Sequence, residues 1–106
     1  FQETISSYVS ILNDCQYSLA NHWANASHLI GDQKRSSKIK EALETRSIEK
    51  AFSGAELALL KYAEKLTTTP NLMNQSDVAN LKSAGITDEE ILEVAKTKTK
   101  FDSFRI

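Results

Sequence analysis

Apolar residues recur along this chain at spacings of three and four, and no stretch alternates regularly enough to argue for a strand. From Glu3 to Leu12 the apolar positions are Ile5, Tyr8, Val9 and Leu12, which predicts a first helix broken by Asn13–Asp14. A second helix is expected from about Cys15 to Ile30, with Leu19, Trp23, Ala26 and Ile30 as its apolar row and Gly31–Asp32 as its end. The third, from Gln33 to about Arg46, turns Ile39, Ala42 and Leu43 inward. Its Lys34, Arg35, Lys38 and Lys40 stand beside Glu41 and Glu44 and read as a solvated face rather than a phosphate site. Ser53–Gly54–Ala55–Glu56 has the form of a capping box, followed by Leu57, Leu60, Tyr62, Ala63 and Leu66. Thr67–Thr68–Thr69–Pro70 stops that helix, because a proline cannot continue it. Asn74 or Ser76 opens a short helix through Ala84, closed by Gly85. Thr87–Asp88–Glu89–Glu90 is a second capping box, leading to a last helix with Ile91, Leu92, Val94 and Ala95. Its continuation through Lys96, Lys98 and Lys100 is compatible with an exposed helix or a frayed tail. Six helices and no strand define an all-α chain, a compact bundle.

Composition narrows the picture. The 106 residues suffice for one domain, 1–106, and 41% hydrophobic with 25% charged residues is ordinary for a globular protein. A net charge of −1 gives no basic excess for nucleic acid or acidic lipid. A single cysteine excludes an intrachain disulfide framework and fits a reducing, cytoplasmic setting. No apolar run approaches the ~20 residues that span a bilayer. Phe1 is not methionine and opens directly on helical pattern, so the chain reads as part of something longer. A bundle of this size has a thin core. Trp23, Phe52, Tyr62, Phe101 and Phe104 exceed what it hides easily, which predicts a homo-oligomer.

Candidate chemistry gathers where the first helix gives way to the second. Positions 15, 18 and 22 share a helical face, so Cys15, Ser18 and His22 project together. With Asn13 or Asp14 as the N-cap, Cys15 would stand at a helix N-terminus, where backbone N–H groups favour a thiolate. The competing reading is a lone cysteine packed as a small hydrophobe. Other signals are weaker. His28 lies six residues beyond His22 and off its face, Glu89, Glu90 and Glu93 look like helix-start charges, and no spacing suits zinc or iron.

These residues resemble the alkylhydroperoxidase D-like family, also called the carboxymuconolactone decarboxylase family. Its redox branch carries Glu, eleven residues, Cys, two residues, Cys, three residues, His. Here Glu3 precedes Cys15 by twelve positions, Ser18 stands at the second cysteine, and His22 follows four later. The stretch SGAELALLKYAEKLTTTPNLMNQSDVANLKSAGITDEEILEV is similar to the peroxidase-related branch, with its capped helix, Leu-Thr-x-x-Pro turn and Asp-x-x-x-Leu-x-x-x-Gly-x-x-Asp segment. The closing Phe101–Asp102–Ser103–Phe104–Arg105–Ile106 is similar to the family's terminal aromatic stretch.

The resemblance implies an all-helical bundle assembling as trimers or hexamers. It also implies reduction of a hydroperoxide at the expense of a thiol reductant, with no cofactor, metal or flavin. One thiolate attacks the peroxide and becomes a sulfenic acid, and the other thiol closes a disulfide. Cys15 maps to the outer, resolving thiol, and His22 and Glu3 to the proton relay. Ser18 occupies the attacking position, where it supplies no anion at neutral pH and no disulfide. Three explanations follow: an engineered replacement, a one-cysteine peroxidase using Cys15, or lost chemistry. Two readings compete with the peroxidase. One is a decarboxylase-type enzyme using Glu3 and His22 as acid and base, and the other a non-catalytic helical assembly module.

Overall fold

The structure is a computed structural model, which describes the backbone of residues 1–103 and the side chains of residues 1–97. It contains six α-helices: α1 (Gln2–Leu12), α2 (Gln16–Ile30), α3 (Gln33–Glu44), α4 (Gly54–Thr68), α5 (Gln75–Ser83) and α6 (Asp88–Ser103). Two single-turn 3-10 segments, Ile48–Lys50 and Pro70–Leu72, were not expected from the pattern. Among the described residues there is no strand.

The bundle is built around α1, which packs against α2, α3, α4 and α6. Ile5, Tyr8 and Val9 form the apolar row expected of it, yet every residue from Thr4 to Ser10 is buried. Ser6, Ser7 and Ser10 make this possible. Their side chains are small, and two of the hydroxyls are satisfied one turn back, Ser7 Oγ on the Glu3 carbonyl and Ser10 Oγ on the Ser6 carbonyl, both at 2.8 Å. Leu43, Phe52, Leu59, Leu60, Ala63, Leu81, Ile86, Ile91 and Val94 complete the core around Ile5, Tyr8 and Val9. By contrast, α2 lies on the outside. Of its expected row only Ala26 is buried, with Trp23 and Ile30 half-buried against the core, while Tyr17 and Leu29 face solvent.

Three helix ends share one geometry. In the Schellman motif, the residue after the C-cap is left-handed and two N–H groups reach back to the last turn. At α5 the left-handed residue is Gly85, and Gly85 N and Ile86 N donate to the carbonyls of Lys82 and Leu81. At α1 it is Asp14 (φ 53°), with Asp14 N on Ile11 O at 3.1 Å and Cys15 N on Ser10 O at 2.9 Å. At α3 it is Arg46 (φ 57°), with Arg46 N on Leu43 O and Ser47 N on Ala42 O. A side chain in this region costs on the order of 1 kcal/mol, so something must hold it. The Arg46 guanidinium is bonded to Glu64 Oε1, Nε at 3.2 Å and Nη2 at 3.0 Å. The same oxygen accepts the hydroxyl of fully buried Tyr8 at 2.7 Å. The end of α3 is thereby tied through α4 to the central helix. Burial and the neighbouring carboxylate push the Tyr8 phenol well above its ordinary range.

The caps divide. Thr87 and Glu90 form the expected box, Thr87 N on Glu90 Oε1 at 3.1 Å and Glu90 N on Thr87 Oγ1 at 3.2 Å. Asn74 opens α5, with Asp77 closing the reciprocal bond. The box expected at Ser53 does not form: Gly54, the first helical residue, is left-handed (φ 61°), and the Ser53 side chain makes no capping bond. Asp32 caps α3 through the N–H groups of Lys34 and Arg35. The last helix continues past Lys96 as regular helix to Ser103. Phe52 is accommodated in the core, edge-on to Phe1 at 5.9 Å between ring centroids, so it drops out of the aromatic surplus. The side chains of Phe101 and Phe104 lie outside the described residues.

Candidate active site

The α1–α2 corner places the site. Because the Schellman motif ends α1 at Asp14, the next residue is already the N-cap of α2, and that residue is Cys15. Its backbone is fixed twice: the N–H is held by Ser10 O, and the carbonyl accepts Leu19 N at 3.0 Å. Asn13 and Asp14, expected to cap α2, instead belong to the C-terminal motif of α1. The reason is that the two helices are joined by a corner too tight for a separate cap. Cys15 still stands at a helix N-terminus, and it is neither a core residue nor fully exposed. It lines a shallow depression of about 160 Å³ with Ser10, Ile11, Asp14, Gln16, Leu19 and Glu44.

One turn into α2, Ser18 is half-buried against α1, where the Ser10 hydroxyl lies 3.2 Å from its Oγ. One turn further, His22 Nδ1 meets Glu3 Oε2 at 2.6 Å, both side chains largely shielded from solvent. The contact crosses from α2 to the first turn of α1. A carboxylate on one ring nitrogen sets the tautomer and orientation of an imidazole. The four sequence-predicted residues therefore divide into two linked pieces. Glu3 and His22 are in direct contact, and Ser18 joins Cys15's surroundings through Ser10, which bonds both.

Glu3 also borders a second opening of about 140 Å³, lined by Phe1, Thr4, Ala26, Leu29, Phe52 and Arg35 among others. Ser10 was not singled out in the sequence, since a serine in a helical polar position reads as solvated. Its one signal is its place five residues before Cys15, the spacing of the bond that closes the Schellman motif. Among the described residues, no group of three His, Cys, Asp or Glu side chains is placed to hold a metal ion. None of the described helices is long and apolar enough to cross a membrane.

No family profile and no curated protein matches the chain. Among solved structures it is similar to an uncharacterized peroxidase-related protein from Silicibacter sp. TM1040, with a TM-score of 0.82 and 26% sequence identity. The match covers 97% of this chain and 52% of that one, so the chain spans about half the length of that protein.

Proposed function

We propose that the chain is an alkylhydroperoxidase-like antioxidant oxidoreductase that reduces hydroperoxides through Cys15, with Glu3 and His22 as its proton relay. The observation that carries this reading is the 2.6 Å contact between His22 Nδ1 and Glu3 Oε2, made on the helix that begins at Cys15. The similarity to a peroxidase-related protein supports it.

In a two-thiol cycle position 18 would attack and Cys15 would resolve. With Ser18 present, Cys15 is the one sulfur nucleophile in the chain. Its thiolate attacks the outer peroxide oxygen, the O–O bond breaks, and the sulfur becomes a sulfenic acid. The departing alkoxide takes a proton, supplied by the relay, and leaves as an alcohol. An external thiol then condenses with the sulfenic acid, releasing water and forming a mixed disulfide. A second thiol reduces that to free Cys15 and an external disulfide.

The test is hydroperoxide consumption with a dithiol reductant, comparing the wild type with Cys15→Ser and Ser18→Cys. The expected result is slow turnover that Cys15→Ser abolishes and Ser18→Cys accelerates. If neither the wild type nor Ser18→Cys exceeds the Cys15→Ser baseline while all three remain folded, the reading is wrong. The likeness then reports fold alone.

A further inference from the structure

Ser10 is completely buried between α1 and α2. Its hydroxyl has one proton and two acceptors within reach, the Ser6 carbonyl at 2.8 Å and Ser18 Oγ at 3.2 Å. Its own carbonyl holds the N–H of Cys15 at 2.9 Å. One residue of the central helix thus contacts both positions of the Cys-x-x-Ser motif.

We propose that Ser10 is a positioning residue of the site, a buried rotor whose proton turns to position 18 when the atom there carries negative charge. While position 18 is a neutral hydroxyl, the one proton is shared between the Ser6 carbonyl, the nearer acceptor at 2.8 Å, and Ser18 Oγ at 3.2 Å. An anion at position 18 reverses the preference, because a hydrogen bond to a charged acceptor is about twice as strong as a neutral one. Only the O–H bond rotates, so the donor is in place before charge develops and nothing in the packed interface has to move. The Ser6 carbonyl loses no obligatory partner, since it lies inside the helix and keeps its backbone bond. With Ser18 in place position 18 carries no anion at neutral pH, so the device acts once a thiolate stands there, as in Ser18→Cys; its bearing on catalysis rests on the peroxidase reading, but its existence does not.

The experiment is a thiol titration. In a Cys15→Ser/Ser18→Cys protein, the single thiol sits at position 18, and its alkylation rate is followed from pH 5 to 10. The same profile is taken with Ser10→Ala added, and with Ser7→Ala added as a control for removing a buried serine hydroxyl from α1. Ser7 is as buried as Ser10, and its hydroxyl bonds the Glu3 carbonyl. The charged groups of this corner are the Glu3–His22 pair across α1 and α2, and Asp14 and Glu44 at the depression that Cys15 lines; they are common to all three proteins. Ser10→Ala is expected to move the midpoint up by about one unit, a tenfold loss of thiolate at lower pH, with Ser7→Ala unchanged. A midpoint that Ser10→Ala leaves in place, or that Ser7→Ala raises equally, overturns the proposal. Alkylation needs no turnover, so a failed peroxidase assay leaves this result standing, and the reverse also holds.

Discussion

Replacing Glu64 by alanine tests whether the central helix is locked to its neighbours by one carboxylate oxygen. That oxygen accepts the buried Tyr8 hydroxyl at 2.7 Å and two Arg46 donors at 3.0 and 3.2 Å. Tyr8 is wholly inside the core, so its O–H has no water to turn to, and leaving it unpaired costs about 1–3 kcal/mol. The Arg46 pair is half-exposed and contributes at most about 1 kcal/mol more. Glu64→Ala should therefore cost roughly 1–4 kcal/mol, lowering Tm by roughly 5–30 °C for a chain of this size. Tyr8→Phe removes the hydroxyl with its need for a partner and should cost only about 1 kcal/mol, since Glu64 keeps Arg46. The effects should not add: in a Tyr8→Phe background, Glu64→Ala should cost under about 1 kcal/mol. Urea unfolding of the four proteins measures the cycle. A Glu64→Ala cost below about 0.5 kcal/mol, or the same cost with and without the Tyr8 hydroxyl, would refute the reasoning.

Alkaline unfolding should follow from the same phenol. Its folded form keeps the proton to higher pH than the ordinary tyrosine value of about 10, so above that pH the unfolded state binds fewer protons and stability falls as pH rises. Tyr8→Phe should flatten the decline, as read by denaturant midpoints between pH 9 and 11. Asp14→Gly should stabilise the α1–α2 corner by about 0.5–1 kcal/mol, because glycine adopts a φ of 53° without side-chain strain. A lower urea midpoint for that variant would show that Asp14 contributes more than its backbone shape. Asn74→Ala should cost about 1 kcal/mol by removing the cap on α5, again read from urea midpoints. We expect self-association, with Tyr17 and Leu29 of α2, 82% and 70% exposed, among the apolar residues it would cover. A concentration-independent monomer mass by sedimentation equilibrium would dismiss it.

Much of the fold was written in spacing. The inward residues Ile5, Tyr8, Val9, Ile39, Ala42 and Leu43 sit where a period of 3.6 puts them. Local chemistry set several ends as well, through Gly31, Pro70, Gly85 and the Thr87–Glu90 box. Where local rules conflicted, the pattern misled. Ser53 and Glu56 promised a box that Gly54's backbone prevents, and Asn13–Asp14, read both as the break after α1 and as the cap of α2, serve only as the break.

The sequence by itself determined that Ser18 and His22 stand one turn apart on one helical face, because helical periodicity is a property of the backbone alone. Whether Glu3 meets His22 was decided by tertiary structure, since that contact joins residues nineteen positions apart and depends on the angle at which α2 leaves α1. The same holds for Ser10 and for the Tyr8–Glu64–Arg46 lock. A serine or a tyrosine carries no mark of burial in its own identity. Its partners exist only once other helices have closed around α1.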